Sequence, residues 1–381
     1  MLRKTSMCGG VTLLIFVTAG FFSLEGSAVP LPQTWTRATN IFALHHDDFD
    51  LSVPIVASIP SQLPGANMVA MQWMWKQDNA TSNAVEADAK TTPSVSSLIR
   101  IARAAHRVNL SVYWKPIVVA RDGTEMAQLS PSNVTAWFAS YSNQILAIAA
   151  LAQDLGVERL AIGIELQIIA TNAANLELWT ELISQVRSLY NGHLTYGSNP
   201  LVGETSQIPF WSLLDVIGVD LYIPMINPLK PNASMTPTLE DMTGTYTFFL
   251  NLKLMQWYWN STERSDGLQM FVSESGYPSS NGGVERPWVL PPSKNEPGGG
   301  CFGNYTQNNT AQSSAFAVQF SVLTSPAYVD AFNGFTQFWY GNPGTSDYID
   351  RQPTTLWPCG WTPVGKPETL LVLQDAFQVL Q

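Results

Sequence analysis

Two glutamates, Glu165 and Glu274, each close a short apolar run. The first ends Arg159-Leu160-Ala161-Ile162-Gly163-Ile164-Glu165. The second ends Leu268-Gln269-Met270-Phe271-Val272-Ser273-Glu274 and runs on into Ser275-Gly276-Tyr277-Pro278. A short apolar run bounded by glycine reads as a buried parallel strand, and barrel enzymes place their chemistry at the carboxyl edge of such strands. Two strand-end carboxylates suit glycosidic bond cleavage, in which one carboxyl protonates the leaving oxygen and the other meets the oxocarbenium-like carbon. If the two stand about 5 Å apart, the second attacks directly and the anomeric configuration is retained. One carboxyl must then keep its proton near neutral pH, through burial or the field of its neighbour. Spacing alone does not assign the two parts. The competing reading, a structural ion pair or a solvated loop carboxylate, is weakened by the joint occurrence of both motifs.

A scaffold able to hold two such side chains across a mouth is legible along the chain. Strands are expected at residues 38–46, 67–77, 110–119, 159–165, 193–199, within 211–224, at 268–274 and at 334–340. Helical spacing of apolar residues is expected at 94–108, where Leu98, Ala102 and Ala105 repeat, and at 132–155, 175–190, 240–259 and 367–380. Strands alternating with helices over this length imply a single (β/α)8 TIM barrel. An open doubly wound sheet would bring a glycine-rich phosphate loop after an early strand, and neither GxGxxG nor GxxxxGK[ST] occurs. The barrel is expected to occupy 29–381, with a Gly/Pro-rich loop at about 279–309 between the last two strands. Adjacent His45 and His46 at the end of the first strand point to opposite faces and lack an evident third ligand, so no metal site is expected. No cofactor is expected either.

Bulk properties narrow the partners. The chain has 381 residues, a net charge of −10 and no cluster of Lys or Arg, which disfavours nucleic acid. Its 13 Trp, 12 Tyr and 17 Phe suit stacking on sugar rings as well as core filling. Arg3 and Lys4 precede an apolar run from Val11 to Phe22 and then Gly26-Ser27-Ala28, the pattern of a secretory signal peptide over 1–28. Secretion without stable membrane association is the expectation. An uncleaved anchor is the alternative. Cys8 would leave with the signal, and Cys301 and Cys359 are expected to pair in an oxidising compartment, the alternative being two free thiols. Sequons at Asn79, Asn109, Asn133, Asn232, Asn260, Asn304 and Asn308 agree with a glycosylated protein.

Gly163-Ile164-Glu165-Leu166, Leu214-Asp215-Val216-Ile217-Gly218-Val219-Asp220-Leu221-Tyr222 and Ser273-Glu274-Ser275-Gly276-Tyr277 occur in an order and spacing that resembles clan A retaining glycoside hydrolases. They look most like glycoside hydrolase family 113, as do Trp114-Lys115-Pro116 and Thr195-Tyr196-Gly197-Ser198-Asn199. The resemblance implies Glu165 as acid/base, Glu274 as nucleophile and β-mannan as the first substrate to try. Many clan A enzymes carry Asn immediately before the acid/base, whereas this chain has Ile164, a departure that family 113 tends to share. Around the two glutamates, Tyr222 is a candidate hydrogen-bond donor to Glu274. Trp75 and Trp339 are candidate sugar platforms, and Lys115 and Asn199 candidate donors to sugar hydroxyls; each of the four also admits a purely structural reading. The main expectation is a secreted two-glutamate glycosidase acting on polysaccharide or oligosaccharide. The alternative is an inactive barrel that binds carbohydrate through its aromatics. A serine or cysteine hydrolase ranks last, since no GxSxG occurs.

Overall fold

The computed structural model describes residues 29–226, 237–289, 306–338, 340 and 359–378. Eight parallel strands close into a barrel in sequence order: β1 Thr36–Phe42, β2 Met68–Gln77, β3 Ser111–Ala120, β4 Arg159–Ile164, β5 His193–Ser198, β6 Ile217–Asp220, β7 Met270–Ser275 and β8 Phe332–Gln337. The TIM barrel expected from the alternation of elements is the observed fold. Its outer ring contains α1 Asp48–Gln62, α2 Val95–Arg107, α3 Val134–Leu155, α4 Leu176–Leu189, α5 Leu239–Leu250, α6 Asn309–Leu323 and α7 Pro367–Phe377.

Local chemistry sets these helix ends. Ser94 caps α2 by accepting from the Ser97 amide, and Asn133 caps α3 through the Ala136 amide. Gly156 closes α3 in the left-handed conformation at φ 69°. Thr238 and Asp241 form a reciprocal capping box on α5. Helix α5 then widens into a π turn over Asn251–Met255 before ending near Tyr258.

Each strand divides its residues between two apolar layers. Even-numbered residues of β2, such as Met68, Ala70 and Met74, fill the barrel interior with Tyr113, Ala161 and Phe271. Odd-numbered ones, such as Val69, Met71, Trp73 and Trp75, face the helices. At the amino-terminal end of the barrel, the buried Arg159 guanidinium lies 4.1 Å from the centroid of the Phe271 ring.

Several expectations need correction. The first strand stops at Phe42, and His45 and His46 belong to the turn into α1, where the Leu44 and His45 amides both donate to Asp48 Oδ2. Helix α1 was not expected, and it carries Pro54 and Pro60 within it. Helix α6, which begins where the expected loop ends, was not expected either; it buries Gln312, Ser313 and Gln319 along with its apolar residues, which hides its periodicity. The strand expected within 211–224 is only four residues long, and Trp211–Leu213 ahead of it is a 3-10 turn. The expected signal peptide and Cys301 lie outside the described residues, as does most of the loop at 279–309.

Candidate active site

Two bulges prepare the site. Between β4 and β5 the register moves from Ala161 opposite Thr195 to Ile164 opposite Gly197, so β4 spends three residues where β5 spends two. Ala161 and Ile164 therefore both enter the interior, which strict alternation forbids. Gly163 sits inside this bulge, where a Cβ would stand 2.8 Å from Tyr196 Cε2 and 3.3 Å from the Trp179 ring. Immediately after the bulge Glu165 adopts φ 47°, a left-handed conformation rare for a residue with a side chain. Its amide donates to the Gly197 carbonyl at 2.8 Å, and the next amide, of Leu166, donates to Tyr196 Oη at 2.6 Å.

The second bulge lies in β7, where Asp220 pairs with Glu274 although Val219 pairs with Val272. Consecutive side chains Ser273 and Glu274 thus both meet interior partners. Ser273 Oγ donates to Asp220 Oδ1 at 2.5 Å, and Glu274 receives Lys115 Nζ on Oε1 at 2.6 Å and Tyr222 Oη on Oε2 at 2.9 Å. Both Glu274 oxygens are occupied by donors. Lys115 is fully buried and donates also to the Ser273 carbonyl at 2.9 Å.

Glu165 carries the opposite environment. Burial, reinforced by the negative fields of Glu274 and Glu204, pushes its pKa up to about 8, against the smaller lowering effects of Lys115 and an Asn199 side-chain hydrogen bond. At neutral pH it holds its proton. Asp220, fully buried within the fields of Lys115 and Glu274, is also pushed upward by burial and then by the Glu274 charge. One bulge-aimed carboxyl keeps a proton while the other is saturated with donors, a separation of environments suited to acid and nucleophile.

The remaining expected residues divide. Tyr222 meets Glu274 as expected. Lys115 lies beneath the site as the counter-charge of Glu274, too deep to reach a sugar hydroxyl. Asn199 Oδ1 accepts from the Leu201 amide at 3.0 Å, and its side chain stands near enough to Glu165 to lower that carboxyl's pKa, so its first partners are protein groups. Trp75 is no platform. It lies on the outward face of β2, 2% exposed, edge-on to Trp73 and to Tyr141 of α3. Trp339 lies outside the described residues. Beside Tyr222, Phe338 packs edge-on and in turn contacts Trp361, whose Nε1 donates to the Pro287 carbonyl at 2.7 Å. Phe338, inside the expected eighth strand, was passed over for its neighbour Trp339, and Trp361 escaped the sequence reading because it stands in no strand-end motif. Glu204, fully buried in the loop after β5, escaped it for the same reason.

The family model of glycoside hydrolase family 113 matches residues 58–295, more than half of the chain and the span that includes both glutamates. The chain belongs to glycoside hydrolase family 113. It is therefore a glycosidase, and saccharide is its substrate class. Similar solved structures share the fold. The family 113 β-mannanase AaManA of Alicyclobacillus acidocaldarius is 22% identical with a TM-score of 0.68, covering 90% of this chain and 97% of that one. A second family 113 β-1,4-mannanase is 19% identical, TM-score 0.66, with 91% and 99% covered. The endo-β-1,4-mannanase of Thermotoga petrophila is 11% identical, TM-score 0.53, with 91% and 77% covered. No curated protein sequence matches the chain. Among the described residues no helix is long and apolar enough to cross a membrane.

Proposed function

We propose that this family 113 member is a secreted, retaining β-glycosidase that cleaves β-1,4-mannan internally by double displacement. The observation that carries the reading is the contrast between the two carboxyls: Glu165 protonated at neutral pH, Glu274 held between Lys115 and Tyr222. In the first step Glu274 attacks the anomeric carbon as Glu165 passes its proton to the departing glycosidic oxygen. Glu165, now ionised, removes a proton from water, which attacks the same carbon and releases Glu274. The β-mannanases among the structural neighbours support mannan as substrate. Secretion rests on the pattern of residues 1–28. The Cys301–Cys359 pairing rests on the oxidising compartment and on the burial of Cys359.

The test is reducing-sugar release on mannans, glucans, xylans and galactans by wild type, Glu165→Gln and Glu274→Gln. Release from mannan by wild type alone is expected. Azide then assigns the roles on an activated aryl β-mannoside. It should attack the free anomeric carbon in Glu274→Ala to give an α-azide, and the glycosyl-enzyme in Glu165→Ala to give a β-azide. One product from both variants overturns the assignment, and mannan binding without turnover returns the protein to the inactive-barrel alternative. Sequencing of the exported protein is expected to begin just after Ala28.

A further inference from the structure

Glu204 is a fully buried carboxyl that the double displacement does not use. It lies between the 3-10 turns Pro200–Val202 and Thr205–Gln207, behind the wall formed by β4 and β5. Each of its oxygens has one donor. Tyr196 Oη donates to Oε1 at 2.7 Å, and the Asn199 amide donates to Oε2 at 2.7 Å. Both donors lead to Glu165. Tyr196 Oη simultaneously accepts the amide of Leu166, the residue after Glu165, and the Asn199 side chain stands near enough to the Glu165 carboxyl to lower its pKa. Two independent handles thus run from one buried carboxyl to the backbone and to the side chain of one strained residue. A non-glycine residue at φ 47° persists only where its surroundings over-determine it.

We propose that Glu204 is a positioning residue of the reaction: through Tyr196 and Asn199 it holds Glu165 in its left-handed conformation, with its carboxyl aimed across the barrel mouth. The inference rests on the acid/base role given to Glu165 above. It has an electrostatic corollary. The charged and titratable groups around Glu165 are Lys115 of β3, Asp220 of β6, Tyr222 beyond β6, Glu274 of β7 and Glu204 itself. Burial raises Glu204 to about 7, with Asp220 adding to the rise and the Asn199 and Tyr196 hydrogen bonds opposing it. Above that pH Glu204 is ionised and raises the proton affinity of Glu165, which keeps the acid protonated at the alkaline end of the working range.

The experiment compares Glu204→Gln, Glu204→Asp and Tyr196→Phe with wild type on mannan and on an aryl β-mannobioside bearing a dinitrophenyl leaving group, which departs without protonation. Glu204→Gln keeps the shape, removes the charge and sets an NH2 against the Asn199 amide. Its kcat on mannan is expected to fall at least tenfold, with KM within threefold. For the dinitrophenyl substrate kcat/KM, which reports formation of the glycosyl-enzyme alone, should fall far less, and the alkaline limb of kcat/KM on mannan should move to lower pH. Glu204→Asp, which keeps the charge, should leave that limb in place. Equal losses of kcat/KM on both substrates, or an unmoved alkaline limb with only a lower melting temperature, overturn the proposal. If Glu204→Gln does not fold, Tyr196→Phe carries the test: a fall in kcat/KM confined to mannan supports the positioning role, and an unchanged kcat/KM on mannan overturns it. Glu165→Gln, measured alongside, separates the two levels. Its full activity on mannan would sink the acid/base reading, whereas an inactive Glu165→Gln beside a wild-type-like Glu204→Gln would sink only the proposal made here.

Discussion

Replacing Glu165 by Gln should make the protein more tolerant of alkali, and the size of the effect follows from the site. In the folded protein the Glu165 pKa is raised from its ordinary 4.5 to about 8, burial being the largest cause. The unfolded chain therefore releases this proton near pH 4.5 and the folded chain near pH 8. Between those values the unfolded state binds fewer protons, so this group's contribution to stability is full below pH 4.5 and is lost as pH rises toward 8. At about 1.4 kcal/mol for each pH unit the ceiling of that loss is about 5 kcal/mol. The field of Glu274 supplies part of the rise and acts on both carboxyls, so about 3 kcal/mol is the expected difference. A glutamine has no proton to lose. Its packing differences from glutamate are common to all pH values and cancel when two pH values are compared. For 381 residues the unfolding entropy is about 0.8 kcal/mol per kelvin, which converts the difference to about 4 °C. Thermal melts of wild type and Glu165→Gln at pH 5 and pH 9, at one scan rate, should show the gap widening in favour of the variant by about that amount. Parallel melting curves would refute the raised pKa and with it the claim that Glu165 enters the reaction protonated.

Other perturbations test other parts of the scaffold. Lys115→Met strips the 2.6 Å counter-charge from a buried carboxylate; a loss of about 3–5 kcal/mol in denaturant unfolding and the loss of glycan hydrolysis are expected, and a fully active variant would contradict the placement of Lys115 beneath Glu274. Gly163→Ala forces a methyl to within 2.8 Å of the Tyr196 ring, so a destabilisation of about 1–3 kcal/mol together with reduced kcat is expected; wild-type values of both would show that the bulge has slack. Trp75→Ala should cost about 3–5 kcal/mol, as truncation of a packed core aromatic does, while KM for glycan in the folded fraction stays put. A selective rise in KM without loss of stability would restore Trp75 as a sugar platform.

Much of the scaffold can be read without coordinates because burial dictates composition. A strand covered on both faces must be apolar throughout, as Leu160-Ala161-Ile162 and Met270-Phe271-Val272 are, and an amphipathic helix must repeat its apolar face, as Leu98, Ala102 and Ala105 do in α2. The same logic places Glu165 and Glu274 at strand ends, since a carboxylate is costly within such a strand. Helix α1 defeats it because two prolines interrupt the expected donors, and α6 because it is buried on more than one side.

The residues by themselves determined the barrel, the two glutamates and the chemistry they suit. Tertiary structure alone decided how those glutamates differ. A period of two says which face a side chain takes only while the register holds, and the bulges at Gly163 and Ser273 break it within two residues of each glutamate. The same parity sends Trp75 outward to Tyr141, a fact invisible until Met74 and Gln72 are known to face inward. Lys115, Tyr222 and Glu204 are 159, 52 and 39 residues from the carboxyls they serve. Proton affinity is set by burial and by charges a few ångströms away in space, and the distance along the chain carries no information about either.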